Sequence, residues 1–304
     1  MRLLYQGTDI TEKCIVKAAE FRDVSGGRLD SLDIRFSDAG KWESWGVKEN
    51  DRVRAIEGSL DTGELYVAAA GMDGGEFRIL ATALKACGKA PRRNTYIDKT
   101  LKQIVSLAAW ECGMGWRIFG LEENILYPYV QREKETAAAF LERLGRLEGA
   151  ALKTYSGRLT MIGIGAAQEL SAIETLKITP GMDGVRYIKN KSSRLAELKA
   201  KTPFLTVSAF DSDGQGGGCV TVHVPALDAV TAGRWARGLL LWRNRQAETL
   251  EIECQLRGSW TAMARIDVTG GTGADGEWMV KEVTHDLVEK RTRAELCRVI
   301  RTVK

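Results

Sequence analysis

His285 and Asp286 are the only adjacent His–Asp pair in the 304 residues. A hydrolytic triad needs such a pair aimed at a nucleophile on a strained turn, and the sequence has no G-x-S-x-G. His285 ends an alternating segment, Glu277–His285, so a structural hydrogen-bonding role is expected for it. Carboxylate pairs such as Glu122–Glu123 or Asp211 with Asp213 could be drawn as a glycosidase dyad, but a chain with 40 acidic residues offers many such pairs. Two glycine-rich stretches, Asp213–Gly218 and Gly270–Gly276, invite a phosphate reading. Neither ends in G-K-[ST] and neither opens a βαβ unit, so both read as turns. Arg234, Trp235, Arg237, Trp242, Arg243 and Arg245 form a basic, Trp-containing stretch that could contact nucleic acid. Trp235 belongs to an apolar stripe, however, and flanking arginines fit a solvated face. No catalytic, cofactor-binding or metal-ligating residue is therefore assigned.

Composition narrows the field in the same direction. Lys and Arg total 44 against 40 Asp and Glu, a net charge of +4, which lacks the basic excess of a nucleic-acid clamp. The two His residues, His223 and His285, leave little for a His-built metal site. The cysteines at 14, 87, 112, 219, 254 and 297 have no CxxC spacing, so reduced, mostly buried thiols of a cytosolic protein are expected. The start, MRLLYQGTDITEK, reads as neither signal peptide nor anchor, and no run nears the ~20 apolar residues of a membrane span.

The elements that would position these residues are mainly strands. Residues 1–90 carry short alternating runs, Leu32–Phe36, Val53–Ile56 and Leu65–Val67, punctuated by Gly and Asp. Residues 91–168 change character. A helix capped by Asp98 would present Leu101, Ile104, Val105, Ala108 and Cys112 on one face and stop at Gly113. A second, about Lys134–Glu148, carries Ala137, Phe140, Leu141, Leu144 and Leu147 and stops at Gly149. A hairpin, Ala151–Tyr155 and Arg158–Ile164, turns at Ser156–Gly157. Residues 169–304 return to strands. Val185–Lys189 and Glu197–Lys201 are expected to pair, Val220–Val224 is another strand, and a helix near Ala229–Arg245 interrupts. Leu250, Ile252, Cys254 and Leu256 then alternate with polar residues, followed by Ala264–Val268, Glu277–His285 and Arg293–Val299.

One internal repeat stands out. Arg52–Val67 (RVRAIEGSLDTGELYV) aligns without a gap on Arg265–Val280 (RIDVTGGTGADGEWMV), an offset of 213. Five of sixteen positions are identical, Arg52/Arg265, Gly58/Gly271, Gly63/Gly276, Glu64/Glu277 and Val67/Val280, against about one by chance. The predicted fold class is α+β, mainly β: two similar antiparallel β-barrel domains (1–90 and 169–304) flanking a helix-plus-hairpin module (91–168). Gly63 should match Gly276.

Several segments in order resemble the late control D family of contractile phage tails, the baseplate hub proteins. They are Leu32–Ala55 with Trp42 and Trp45, Thr62–Val67, Thr100–Ile118, Gln131–Gly163, and Gly273–Val299 with its D-G-x-[WY]-x-V-x-x-V-T-H-x-L pattern. Glu289–Arg293 departs from the family where Gly-Tyr-Thr-Thr is expected. The resemblance implies a non-enzymatic virion protein of the tail baseplate, assembled in the bacterial cytoplasm without cofactors. It implies a homotrimer whose two barrels per subunit make a pseudo-sixfold ring between a sixfold tail tube and a threefold spike. Implied partners are further copies of the chain, the tail tube or tube-initiator protein, and the central spike protein. The tape-measure protein and baseplate wedge are further neighbours. Specific nucleic acid and membrane insertion are not implied. A tail-associated peptidoglycan-binding or cell-wall hydrolase component is the alternative.

Overall fold

The computed structural model describes residues 1–304 apart from Gly27 and residues 214–216. The first β unit comprises β1 (Arg2–Tyr5), β2 (Thr8–Asp9), β3 (Val16–Val24), β4 (Ser31–Phe36), helix α1 (Ala39–Trp45), β5 (Arg52–Glu57), β6 (Leu60–Asp61), β7 (Leu65–Asp73) and β8 (Glu76–Thr82). Period-2 alternation decides which way its side chains point. In β4, Leu32, Ile34 and Phe36 are fully buried while Asp33 and Arg35 turn outward. They pack with Phe21, Val53, Leu65, Val67, Ile79 and Trp42 into one core.

The middle segment contains β9 (Arg92–Thr100), α2 (Leu101–Glu111), β10 (Gly115–Phe119), β11 (Leu126–Glu135), α3 (Ala137–Leu147), β12 (Ala150–Tyr155), β13 (Arg158–Gly163) and α4 (Ile164–Gln168). Two expected boundaries are corrected. Asp98 does not cap α2; it lies within β9 at φ 49°. Thr100 is the cap, accepting from the Gln103 N–H while the Gln103 side chain returns to the Thr100 N–H. Nor does α3 start at Lys134, because β11 runs to Glu135 and Thr136 caps the helix. Both helices stop where expected: Gly113 and Gly149 have φ of 63° and 65°, values that Gly reaches without Cβ strain. Ser156 and Gly157, both at positive φ, close the β12–β13 hairpin. Phe140, Leu141 and Leu144 are fully buried, in the same core as Leu152, Leu159 and Met161 of that hairpin.

The remaining elements are β14 (Glu174–Lys177), β15 (Val185–Lys189), β16 (Glu197–Lys201), β17 (Thr206–Phe210), β18 (Cys219–His223), α5 (Ala229–Asn244), β19 (Glu248–Gln255), β20 (Arg265–Thr269), β21 (Gly276–Asp286) and β22 (Arg291–Arg298). The expected pairing of β15 with β16 is wrong. β15 pairs antiparallel with β19, and β16 sits between β17 and β18 in a separate small sheet. That sheet and α5 share their core with α2 and α3, through Leu195, Leu198, Trp235 and Leu240.

The second β unit copies the first in strand order. The first runs β3-β4-β8-β7-β5-β1 across the sheet and the second β15-β19-β22-β21-β20-β14. Read along the chain, the corresponding strands also occur in the same sequence, β16–β18 and α5 being an excursion between β15 and β19. The ladders agree at the 213-residue offset. Arg52 and Val53 face Tyr66 and Leu65, as Arg265 and Ile266 face Met279 and Trp278. The one reversal is the last strand: β1 is antiparallel to β5, β14 parallel to β20. Both units belong to one 14-stranded sheet, joined where β21 pairs with β3. Its ladders form an open path rather than two closed barrels among the described residues. The second unit has its own core of Leu250, Ile252, Trp260, Ile266, Trp278, Val280 and Leu296.

Candidate functional site

The hydrolytic candidates, His285–Asp286, Asp211 with Asp213, and Glu122–Glu123, are held by structural partners. His285 is completely buried. Its Nε2 lies 3.0 Å from the Trp260 carbonyl, which can only accept, so Nε2 carries the proton. Nδ1 then accepts from the Thr292 hydroxyl at 3.0 Å. Burial pushes its pKa down and keeps the ring neutral. Asp286 faces outward and accepts from the N–H groups of Val288 and Glu289, ordering the β21–β22 turn.

Asp211 and Asp213 do not form a dyad. Arg194 donates to both, at 2.7 and 2.9 Å, and Asp211 also accepts from Asn244 Nδ2 at 2.9 Å and from the Thr302 hydroxyl. This cluster ties the C-terminal segment to the β16–β18 sheet. Glu122 bonds the Asn124 N–H, and Glu123 lies 3.6 Å from Lys102 at the surface. The glycine stretch from Asp213 lies partly outside the described residues. In the other, Asp275 accepts from the N–H groups of Gly271 and Thr272, filling the place of an incoming anion. Among the described residues no group of three His, Cys, Asp or Glu side chains is placed to hold a metal. No helix among the described residues is long and apolar enough to cross a membrane. All six cysteines are free; Cys112 and Cys297 are buried, Cys87 and Cys219 exposed.

The basic stretch on α5 divides by burial. Arg234 donates to Glu148 at 2.6 Å, and Glu148 also accepts from Trp235 Nε1 at 2.6 Å and from the Tyr127 hydroxyl at 2.8 Å. This network locks α5 onto the end of α3. Arg237 and Arg243 are exposed. Arg245 is buried, stacks 3.8 Å over the Trp242 ring and has no hydrogen-bond partner for Nε, Nη1 or Nη2 among the described residues. It lines a cavity of about 780 Å³ with Arg146, Trp242, Arg243 and Lys281.

What the fold does assemble is a junction between two like β units. In β21, residues 276–279 pair with β20, whereas Glu282–Asp286 pair with β3. The change of partner occurs at a β-bulge whose extra residue is Lys281. The Lys281 carbonyl accepts from both the N–H and the hydroxyl of Ser25, at 3.1 and 2.9 Å. Below this seam, Lys153 of β12 bridges buried Asp23 and Asp30. Burial raises the pKa of Asp30 to about 7. The sequence reading missed this cluster, since Lys153 lies 130 residues from Asp23 and the three side chains share no motif. The 213-residue offset signalled the duplication but not where the two units join, because the β21–β3 ladder lies beyond the aligned stretches.

No protein-family model matches the sequence, and no curated protein matches it in sequence. Solved structures do match in fold. A tail protein from Neisseria meningitidis MC58 superposes with a TM-score of 0.74 at 13% identity, covering 98% of this chain and 95% of that one. The 43 kDa tail protein of prophage MuSo2 from Shewanella oneidensis gives 0.73 at 13% identity, covering 98% and 97%. An E. coli component of the type VI secretion system gives 0.61 at 12% identity, covering 99% and 78%. The two tail proteins are thus similar to this chain over nearly their whole length.

Proposed function

We propose that the chain is a non-enzymatic structural component of a phage-type tail or related injection system, and within it the baseplate hub of the late control D kind. Three copies form a ring of six similar β units that joins a sixfold tail tube to a threefold central spike. The observation that carries this reading is the duplicated β unit, matched in strand order and ladder register. Symmetry supplies the reason. A ring that is threefold by sequence and nearly sixfold by shape can meet both neighbours, and a closed cyclic ring requires a heterologous contact, the first unit of one subunit against the second of the next. The fold likeness to two tail proteins and a type VI secretion component supports the setting. The division into 1–90, 91–168 and 169–304 belongs to the same proposal, with residues 195–240 packed onto the middle module. A reconstruction of the particle tests it: three copies around the axis, each giving two β units to the ring, is the expected result. Six copies per ring would overturn it, as would hydrolysis of peptidoglycan by the purified chain in a zymogram.

A further inference from the structure

The two β units differ in one respect that the duplication makes informative. In the second, the distal half of β21 is covered on both sides, by β22 and by β3. Its counterpart in the first is the distal half of β7, Ala69–Asp73, 213 residues earlier. Among the described residues that segment pairs only with β8; β5 reaches no farther than Tyr66. Ala69, Ala70, Met72 and Asp73 are exposed, Met72 by 55%. The counterpart of β3 is β15, and it too is half-partnered, pairing among the described residues only with β19. Its Arg186, Ile188 and Lys189 are exposed. The two edges that meet inside the chain, one from each unit, therefore both have counterparts in the other unit that are left free among the described residues.

We propose that Ala69–Asp73 of one subunit adds antiparallel to Val185–Lys189 of the next copy of this chain, repeating between subunits the β21–β3 ladder made within one. This rests on the ring proposed above and assigns its contact. The register follows from the ladders. His285 faces Phe21 and Asp286 faces Glu20. The 213 offset carries His285 to Met72 and Asp286 to Asp73. Just past each bulge, Ala69 and Glu282 pair with Leu80 and Glu295, which face Asp33 and Glu251 in turn. Asp33 faces Glu20, and Glu251 faces Arg186, so Arg186 corresponds to Glu20 and Tyr187 to Phe21. Asp73 should then lie opposite Arg186, Met72 opposite Tyr187, Gly71 opposite Ile188 and Ala70 opposite Lys189.

Two properties of the edges fit that register. Like charges, Asp286 and Glu20, face each other within the chain, whereas the contact between chains places Asp73 against Arg186, an attractive cross-strand pair. Their present partners are distant and solvated, Arg35 at 3.8 Å from Asp73 and Glu251 at 3.6 Å from Arg186, so both can re-pair. The contact would also cover Met72 and supply partners for two open rows of backbone groups, an arrangement that otherwise invites uncontrolled edge-to-edge association.

Cysteine pairs test the register in the assembled particle. The full chain would carry Cys87→Ser and Cys219→Ser to remove exposed thiols, then either Asp73→Cys with Arg186→Cys or, as an out-of-register control, Asp73→Cys with Lys189→Cys. After an added oxidant, the first pair should give a covalent species of three chains and nothing larger, and the control should stay monomeric on a denaturing gel. A three-copy ring in which neither pair links overturns the strand pairing and leaves the ring reading standing. Equal linking of both pairs also overturns it. A particle map without three copies per ring overturns the ring and this contact together.

Discussion

Asn50 and Met263, 213 residues apart, hold the same left-handed backbone, with φ of 69° and 72°. Each donates its N–H to the strand residue seventeen positions on, Asn50 to Val67 at 2.9 Å and Met263 to Val280 at 2.8 Å. The next residue in each copy accepts in return: Val67 donates to Asp51 and Val280 to Ala264, both at 2.8 Å. The bulge follows in each strand at Ala68 and Lys281. The duplication is thus a property of the backbone: neither side chain of the pair is the other's equivalent, yet both accept a conformation that strains any residue with a Cβ.

That strain is measurable at position 50. Asn50→Gly and Asn50→Ala both lose the bond from the Ala86 N–H to Asn50 Oδ1, so their difference isolates the Cβ. The Gly variant should be the more stable by about 1 kcal/mol, from the left-handed penalty. Urea midpoints of the two variants provide the check; equal midpoints would mean that the segment relaxes to negative φ.

The crossing of α5 over the end of α3 should tolerate no side chain at Gly238. A Cβ there would lie 2.1 Å from the Leu147 carbonyl oxygen and 2.4 Å from the Gly149 nitrogen, both backbone atoms that cannot swing aside. Gly238→Ala is expected to cost about 1–3 kcal/mol or more through overpacking. One turn earlier, Gly233→Ala would meet only Val207 Cγ1 at 3.5 Å and should stabilise by about 0.5–1 kcal/mol through helix propensity. Thermal melts of the two variants should therefore move in opposite directions.

The seam between the β units and β12 should respond to pH. Asp30 has its pKa raised above the ordinary 3.8 to about 7, chiefly by burial. The native state binds the proton more tightly, so this group's contribution is present below about pH 4 and is lost as pH rises through about 7. Asp30→Asn keeps an oxygen for the Val24 N–H and removes the titration, so it should flatten the stability slope between about pH 4 and 7. Lys153→Met would leave Asp23 and Asp30 buried without their cation, a loss of about 3–5 kcal/mol that should shrink at pH 5 as Asp30 takes up its proton. His285 acts in the opposite sense: its depressed pKa makes its contribution full above about 6.5 and diminishing as pH falls. Denaturant titrations of wild type and Asp30→Asn at matched pH separate the two.

What the sequence disclosed, and what it hid, follows from the range of the interactions. Local chemistry was legible: Gly113 and Gly149 as helix stops, the Ser156–Gly157 turn, and the stripe of Phe140, Leu141 and Leu144. The repeat was legible because the tight positions Gly63 and Gly276 both require positive φ, at 67° and 127°. The choice of strand partner was not. Val185–Lys189 lies much nearer Glu197–Lys201 in sequence, yet pairs with Glu248–Gln255 because the 195–245 excursion is spent on another core. Asp98 looked like a cap because its side chain suits that role, but Thr100 is followed by Gln103 at the spacing that closes a capping box. The exposed edges of β7 and β15 carry no sequence signature at all; only their covered counterparts identify them.

Arg245 gives the last prediction. A guanidinium does not give up its proton, so burial without a hydrogen-bond partner among the described residues costs its full desolvation, and burial pushes even its pKa down. Glu295, an acidic group near enough to act on it, is engaged by Lys281 at 2.7 Å. Stacking on Trp242 recovers only part of the desolvation. Arg245→Met preserves much of the side-chain volume and the contact with Trp242 while removing the buried charge. It should therefore raise stability by about 1–4 kcal/mol, as buried-charge replacements do. A lower urea midpoint for Arg245→Met would mean that the guanidinium is satisfied by a bound anion or ordered water in the cavity it lines.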